Sequence, residues 1–174
     1  FGMLAIFGSP KADAAVLTYD IGGIQSIGDF GDPANETRQI FIAPGAHVTA
    51  ISYDVVLSAF DPSWLGEIGV DCSESTYTAG ALIAPGSADA FSGLNAAYSS
   101  NGFVDLTALN LDFHLGSDGI LLLTFRESWD DDAVNPDGLW VSGNLGFQYT
   151  VPEPSSALLA ALGLGSVLLL RTRS

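Results

Sequence analysis

The stretch that decides the fold is HVTAISYDVVLSAF, residues 47–60. Every second residue from Ile51 to Ala59 is apolar, whereas Ser52, Asp54 and Ser58 lie between them. Successive side chains of a β-strand point to opposite faces, so this alternation predicts a strand with one buried and one polar face.

Two other stretches repeat the pattern. Residues 120–127 carry apolar side chains at both odd and even positions, which predicts a central strand covered on both faces. Leu145, Phe147 and Tyr149 alternate with polar or small residues and predict a third strand. Shorter strands are predicted at residues 15–20, 39–42, 65–72, 81–83 and 103–106.

Turn residues separate these strands, among them Pro44-Gly45, Asp61-Pro62 and Pro85-Gly86, and helical periodicity is hard to find. Many short strands joined by such turns favour an all-β fold, an antiparallel β-sandwich of jelly-roll type. We expect this sandwich to occupy residues 15–150 as one domain.

Charge and cysteine content narrow the functional classes. The chain carries 20 acidic and 5 basic residues. Two of the acids and three of the basic residues lie outside residues 15–150, which leaves 18 acids against Arg38 and Arg126. A surface with so many negative charges repels phosphate backbones, so we expect that the protein does not bind nucleic acid. Cys72 is the single cysteine, so no internal disulfide can form, and we expect its side chain to be buried.

The last 24 residues have three parts in a fixed order. Val151, Pro152, Glu153 and Pro154 form a short acidic turn between prolines, and residues 157–170 are apolar except for Ser166. Two arginines follow, Arg171 and Arg173. A core helix would need a polar face, which this run lacks, so we predict a single transmembrane helix with the arginines in the cytoplasm.

This tail resembles the PEP-CTERM sorting signal of exported bacterial proteins. The resemblance covers residues 151–174 and implies that an exosortase, a membrane transpeptidase-like enzyme, recognises Val151, Pro152, Glu153 and Pro154 and cuts near them. The apolar helix would hold the chain in the inner membrane until then. The protein would afterwards be released or attached at the cell surface, typically with extracellular polysaccharide.

The beginning of the chain agrees with export. Residues 1–7 are mostly apolar, and Ala12-Asp13-Ala14 has the small-x-small pattern of a signal-peptidase site. We interpret residues 1–14 as the back half of a truncated secretory signal that the secretion machinery and signal peptidase would process. The alternative is a first buried strand, which Ser9-Pro10-Lys11 would interrupt.

One acidic loop is a candidate metal site. Asp130, Asp131 and Asp132 are followed by Asn135 and Asp137, and calcium takes 6–8 oxygen ligands of this kind. The spacing does not match an EF-hand loop. A simple alternative is a solvated turn, since Asn-Pro-Asp-Gly at positions 135–138 is itself a turn sequence. We expect the turn, with bound calcium as the competing hypothesis and no other cofactor.

Few residues suggest other chemistry. Trp64 follows a turn and could stack on a sugar ring or cap the edge of the sandwich. The two histidines, His47 and His114, are far apart in sequence, and neither belongs to a zinc motif or a nucleophile elbow. We expect His47 to lie in an exposed loop, and we expect no enzymatic activity.

The sequence thus predicts an exported surface or extracellular-matrix protein with a structural or interaction role beside exopolysaccharide or within a biofilm. One alternative is a calcium-dependent carbohydrate-binding module that uses the acidic loop and Trp64. A secreted hydrolase is a further alternative, because two carboxylates of so acidic a chain could meet in space.

Overall fold

Two long strands form the centre of the larger sheet. They are β4 (His47–Ala59) and β11 (Gly138–Thr150), which pair antiparallel along their length. The computed structural model describes residues 14–131 and 135–152. As the alternation in β4 predicts, Ile51, Val55 and Leu57 are buried while Asp54 is exposed.

Nine further strands complete the two sheets in the described residues. They are β1 (Ala14–Asp20), β2 (Ile24–Ser26), β3 (Thr37–Phe41), β5 (Ile68–Glu74), β6 (Gly80–Ile83), β7 (Gly93–Ser99), β8 (Val104–Asp105), β9 (Phe113–His114) and β10 (Ile120–Glu127). A single four-residue helix, α1 (Leu106–Leu109), is found in the same part of the chain.

All strand pairs are antiparallel, and the chain passes back and forth between the sheets. The larger sheet has the order β1-β11-β4-β7, with β2 beside β11 and with β8 and β9 beside β4. The smaller sheet has the order β3-β10-β5-β6. Eight main strands divided in this way between two sheets have the strand order of a jelly roll. The all-β class and the two-sheet architecture are therefore confirmed.

The core lies between the sheets. Phe125 of β10 meets Trp140 of β11 edge to face, with ring centroids 5.4 Å apart. Around them pack buried apolar residues from both sheets, including Val70, Leu121 and Phe147. Burying one such side chain stabilises the fold by about 1.5–3 kcal/mol, so this shared core holds the sheets together. Cys72 is also buried, as predicted, and burial raises the pKa of its thiol.

The predictions for the shorter elements were less accurate. The strand predicted at residues 103–106 is only Val104–Asp105, because Asp105 caps α1 by accepting a hydrogen bond from the Ala108 amide. Strand β7 was not predicted. Its residues are mostly exposed or half-buried, so its sequence lacks the apolar alternation that marks β4.

The two predicted end segments fall almost wholly outside the described residues. Within residues 14–131 and 135–152, no helix has the length and apolar character needed to cross a membrane. The predicted transmembrane helix, residues 157–170, and the secretory signal before Ala14 lie beyond these limits. All of the described strands belong to one compact unit.

Candidate functional site

The acidic loop joins β10 to β11. The Asp131 amide donates a hydrogen bond to Asp137 Oδ2 at 2.9 Å, and the Ser63 hydroxyl donates to Asp131 Oδ2 at 3.0 Å. Asn135 is exposed, and Asp132 lies outside the described residues. The structure therefore brings Asp131 and Asp137 together, as the candidate site required, and ties them to the segment that follows β4.

Asp137 is more than a turn residue. Its side chain is fully buried, at 0% exposure, and its Oδ1 has no hydrogen-bond partner in the described part of the chain. Its main-chain carbonyl accepts a hydrogen bond from the Phe60 amide at 2.9 Å. Desolvation raises the pKa of Asp137, and the charges of Asp130 and Asp131 raise it further.

The most important residue of this site is one that the sequence analysis missed, Glu127. It is the last residue of β10 and is 0% exposed. Neither of its carboxylate oxygens has a hydrogen-bond partner of good geometry among residues 14–131 and 135–152. Burial raises the pKa of Glu127 to about 9, and the charge of Asp137 adds to the rise. At neutral pH an isolated Glu127 would therefore be protonated.

Packing leaves Glu127 little room. A Cβ atom placed on Gly138 would lie 2.6 Å from Glu127 Oε1 and 2.7 Å from Ile68 Cδ1, so a larger residue there would force one of these side chains to shift. The nearby Ser26 hydroxyl opposes the rise in the Glu127 pKa and accepts a hydrogen bond from Trp140 Nε1 at 3.2 Å. The carboxylate is thus enclosed by β2, β5 and the start of β11.

Trp64 lies next to this acidic site in the chain, one residue after Ser63. Its side chain is 46% exposed, and its amide donates to Glu67 Oε2 at 2.7 Å. Glu67 also contributes to the raised pKa of Glu127. An exposed indole therefore stands on the loop that contacts the acidic site through Ser63.

The two histidines meet, although they are far apart in sequence. The prediction of an exposed loop for His47 was wrong, because His47 is the first residue of β4 and pairs with His114 of β9. Their rings stack with centroids 4.1 Å apart, and His47 Nε2 lies 2.6 Å from Asp112 Oδ2. This hydrogen bond lowers the pKa of Asp112. His47 thus has a carboxylate partner, Asp112, and a stacked ring, His114.

The described residues contain no group of three or more histidine, cysteine, aspartate or glutamate side chains arranged to hold a metal ion. The site at the end of β10 consists of two buried carboxylates, Glu127 and Asp137, with Asp131 joined to it by a hydrogen bond. Every donor atom in it is oxygen, which suits a proton or a hard cation better than a transition metal.

The predicted sorting motif begins where the fold ends. Strand β11 stops at Thr150, and Val151 and Pro152 are exposed. Thr150 pairs with Ala14, so the first and last residues of the sheet are neighbours. Glu153, Pro154, Arg171 and Arg173 lie outside the described residues.

Comparison of the chain with known protein families, curated proteins and solved structures gives no match. The fold and the site define an acidic, all-β domain of two sheets with a buried pair of carboxylates at one end.

Proposed function

We propose that this chain is an exported bacterial protein of the PEP-CTERM class, sorted by an exosortase and placed at the cell surface or in the extracellular matrix. It passes transiently through the inner membrane, held there by one transmembrane helix over residues 157–170. Its folded domain has a structural or interaction role beside exopolysaccharide, and it is not an enzyme.

The observation that carries this proposal is the position of the motif. Val151, Pro152, Glu153 and Pro154 start at the first residue after the last strand, and the first two of them are exposed. A membrane enzyme could therefore reach the motif without unfolding the domain. Cleavage there would leave every described strand and the described core in place.

Two other observations agree with export. Ala14, which closes the proposed signal-peptidase site, starts β1 and pairs with Thr150. Ala14 and Val151, the described residues that border the two processing sites, therefore lie at the same end of the sheet, and removal of residues 1–14 and of the tail would take only Ala14 from the described strands. The excess of acidic residues in the domain favours solubility outside the cell.

The test is to replace Pro152, Glu153 and Pro154 with alanine. The chain would be expressed behind a complete secretory signal in a host that carries an exosortase. We expect the unprocessed precursor to accumulate in the inner-membrane fraction, because the enzyme no longer recognises its motif. Pro33→Ala, a change at an exposed proline of the domain, is the matched control and should be processed normally. Normal processing and surface delivery of the triple variant would refute the proposal.

A second candidate function is calcium-dependent carbohydrate binding. The observation that favours it is the exposed Trp64, whose neighbour Ser63 donates a hydrogen bond to Asp131. Aromatic rings bind the apolar faces of sugars, and an acidic loop beside the ring could fix its position. Retention of the protein on a polysaccharide column, lost in Trp64→Ala, would support this function.

A further inference from the structure

Glu127 and Asp137 lie at the two ends of the loop that joins β10 to β11, and the charge of Asp137 acts on Glu127. Glu127 ends β10, and Asp137 immediately precedes β11. Both side chains are fully buried. Three of their four carboxylate oxygens have no hydrogen-bond partner of good geometry in the described residues, although the hydroxyls of Ser26 and Ser63 are close enough to act on Glu127 and Asp137. The fourth oxygen, Asp137 Oδ2, accepts a hydrogen bond from the Asp131 amide.

Such a pair is costly unless something neutralises it. An ionised carboxylate loses several kcal/mol of hydration energy on burial, and a second carboxylate nearby adds repulsion. Buried charges are therefore paired with opposite charges, coordinated to metals or removed by protonation. The Asp131 amide satisfies only one of the oxygens.

The described residues offer no cationic side chain for this role. Arg38 forms an ion pair with Glu36, and Arg126 forms one with Asp71. No lysine occurs between residues 14 and 152. The arginines of the domain are thus already engaged, so within the described residues the two carboxylates are left to be neutralised by a proton or by a cation from the solvent.

We propose that a calcium ion binds between Glu127 and Asp137 and stabilises the junction of β10 with β11. The site shares Asp137 with the site predicted from the sequence, but it centres on Glu127, which that prediction did not include. Two carboxylates make only part of a calcium shell, and the described ranges contain no group of three such side chains. Hydroxyl, main-chain and water oxygens commonly fill the remaining positions.

The oxygen-only donor set decides the kind of ion. Calcium accepts 6–8 oxygen ligands in flexible geometry, whereas magnesium requires a near-ideal octahedron and keeps most of its water. Neither cysteine nor histidine contributes to the site, so it lacks the nitrogen and sulfur ligands that zinc and copper prefer. The proposal is independent of the sorting function, because it concerns the domain before Thr150.

The experiment uses the full chain in a non-ionic detergent after removal of metal with a chelator. Thermal unfolding is followed by tryptophan fluorescence as calcium is added. A ligand that binds only the folded state stabilises it by mass action, so we expect the melting temperature to rise by about 5–10 °C at a hundredfold excess over the dissociation constant. The rise should be larger at pH 8 than at pH 5, because protons compete for the same oxygens.

Three variants locate the ion. Glu127→Gln should abolish the calcium-dependent rise, whereas Asp54→Asn, at an exposed carboxylate of β4, should retain it. Asp131→Asn/Asp132→Asn should also retain most of it, because the Asp131 group that contacts Asp137 is its main-chain amide, which this change keeps. If Glu127→Gln does not fold, Asp137→Asn replaces it.

The outcomes that overturn the proposal are equally distinct. A melting curve of the wild-type chain that is unchanged by millimolar calcium would show that the pair is neutralised by a proton alone. A rise that persists in Glu127→Gln but disappears in Asp131→Asn/Asp132→Asn would place the ion on the surface loop. Neither result would affect the sorting proposal, whose test measures processing in cells.

Discussion

Glu74 and Glu127 are the last residues of β5 and β10, two strands that pair antiparallel, so they lie at opposite ends of one strand pair. Both are buried, at 6% and 0% exposure. Glu74 accepts hydrogen bonds from the amides of Thr76 and Thr78 at 2.7 and 2.6 Å. Glu127 accepts none of good geometry in the described chain.

The two glutamate side chains are consequently held in opposite protonation states. Hydrogen bonds, first from Thr76 and then from Thr78, lower the pKa of Glu74 to about 2. Desolvation raises the pKa of Glu127 to about 9. The comparison teaches that burial alone does not set the charge of a carboxylate, because the donors that surround it decide whether the ion is stable.

The largest expected effect is at Glu127, in the absence of calcium. A group whose pKa is raised in the folded state binds a proton that the unfolded chain releases, so its stabilising contribution is lost as pH rises from about 4.5 towards 9. In Glu127→Gln, which resembles the protonated form, this loss should disappear. The slope is at most about 1.4 kcal/mol per pH unit, so the two proteins should diverge by up to about 4 kcal/mol between pH 5 and pH 8.

Urea unfolding in chelator at several pH values measures this divergence. Asp54→Asn is the control, since an exposed carboxylate should leave the slope as in the wild-type protein. Parallel stability curves for the wild-type protein and Glu127→Gln would mean that Glu127 is ionised in the folded state without help.

A smaller effect of opposite sign is expected at Glu74. At pH 7, Glu74→Gln should lower the free energy of unfolding by about 2 kcal/mol, because the amide nitrogen cannot accept the bonds that the carboxylate receives. A lowered pKa stabilises the fold above about pH 4.5, and this contribution is lost as pH falls towards 2. The difference between the variant and the wild-type protein should therefore shrink in acid. A difference that is the same at pH 3 and pH 7 would contradict the charged state of Glu74.

The sequence predicted the long strands because their alternation is local. Strand β10 was predicted with its observed bounds, and β4 within one residue. The same alternation contained the signal for Glu127, which shares its parity with Leu121, Leu123 and Phe125 and therefore points into the core. The analysis did not extend the pattern to a charged residue, because glutamate is seldom fully buried.

Other features depended on contacts that no local pattern encodes. His47 meets His114 only because β9 pairs with the start of β4, and Asp137 is buried only because the loop folds back towards Phe60. The placement of Asp131 near Asp137 agrees with the predicted loop. The prediction of an ordinary solvated turn was incomplete, because a solvated turn does not bury an aspartate.

The contrast between Glu74 and Glu127 is tested most directly by titrating the carboxyl groups of both side chains. Carbon-13 NMR of glutamate-labelled protein, assigned with Glu127→Gln and Glu74→Gln, measures both in one sample. Without calcium, Glu127 should titrate near pH 9 and Glu74 near pH 2. With calcium, the Glu127 signal should move to its ionised position at pH 7. A Glu127 carboxyl that titrates near 4.5 without any cation would contradict the account.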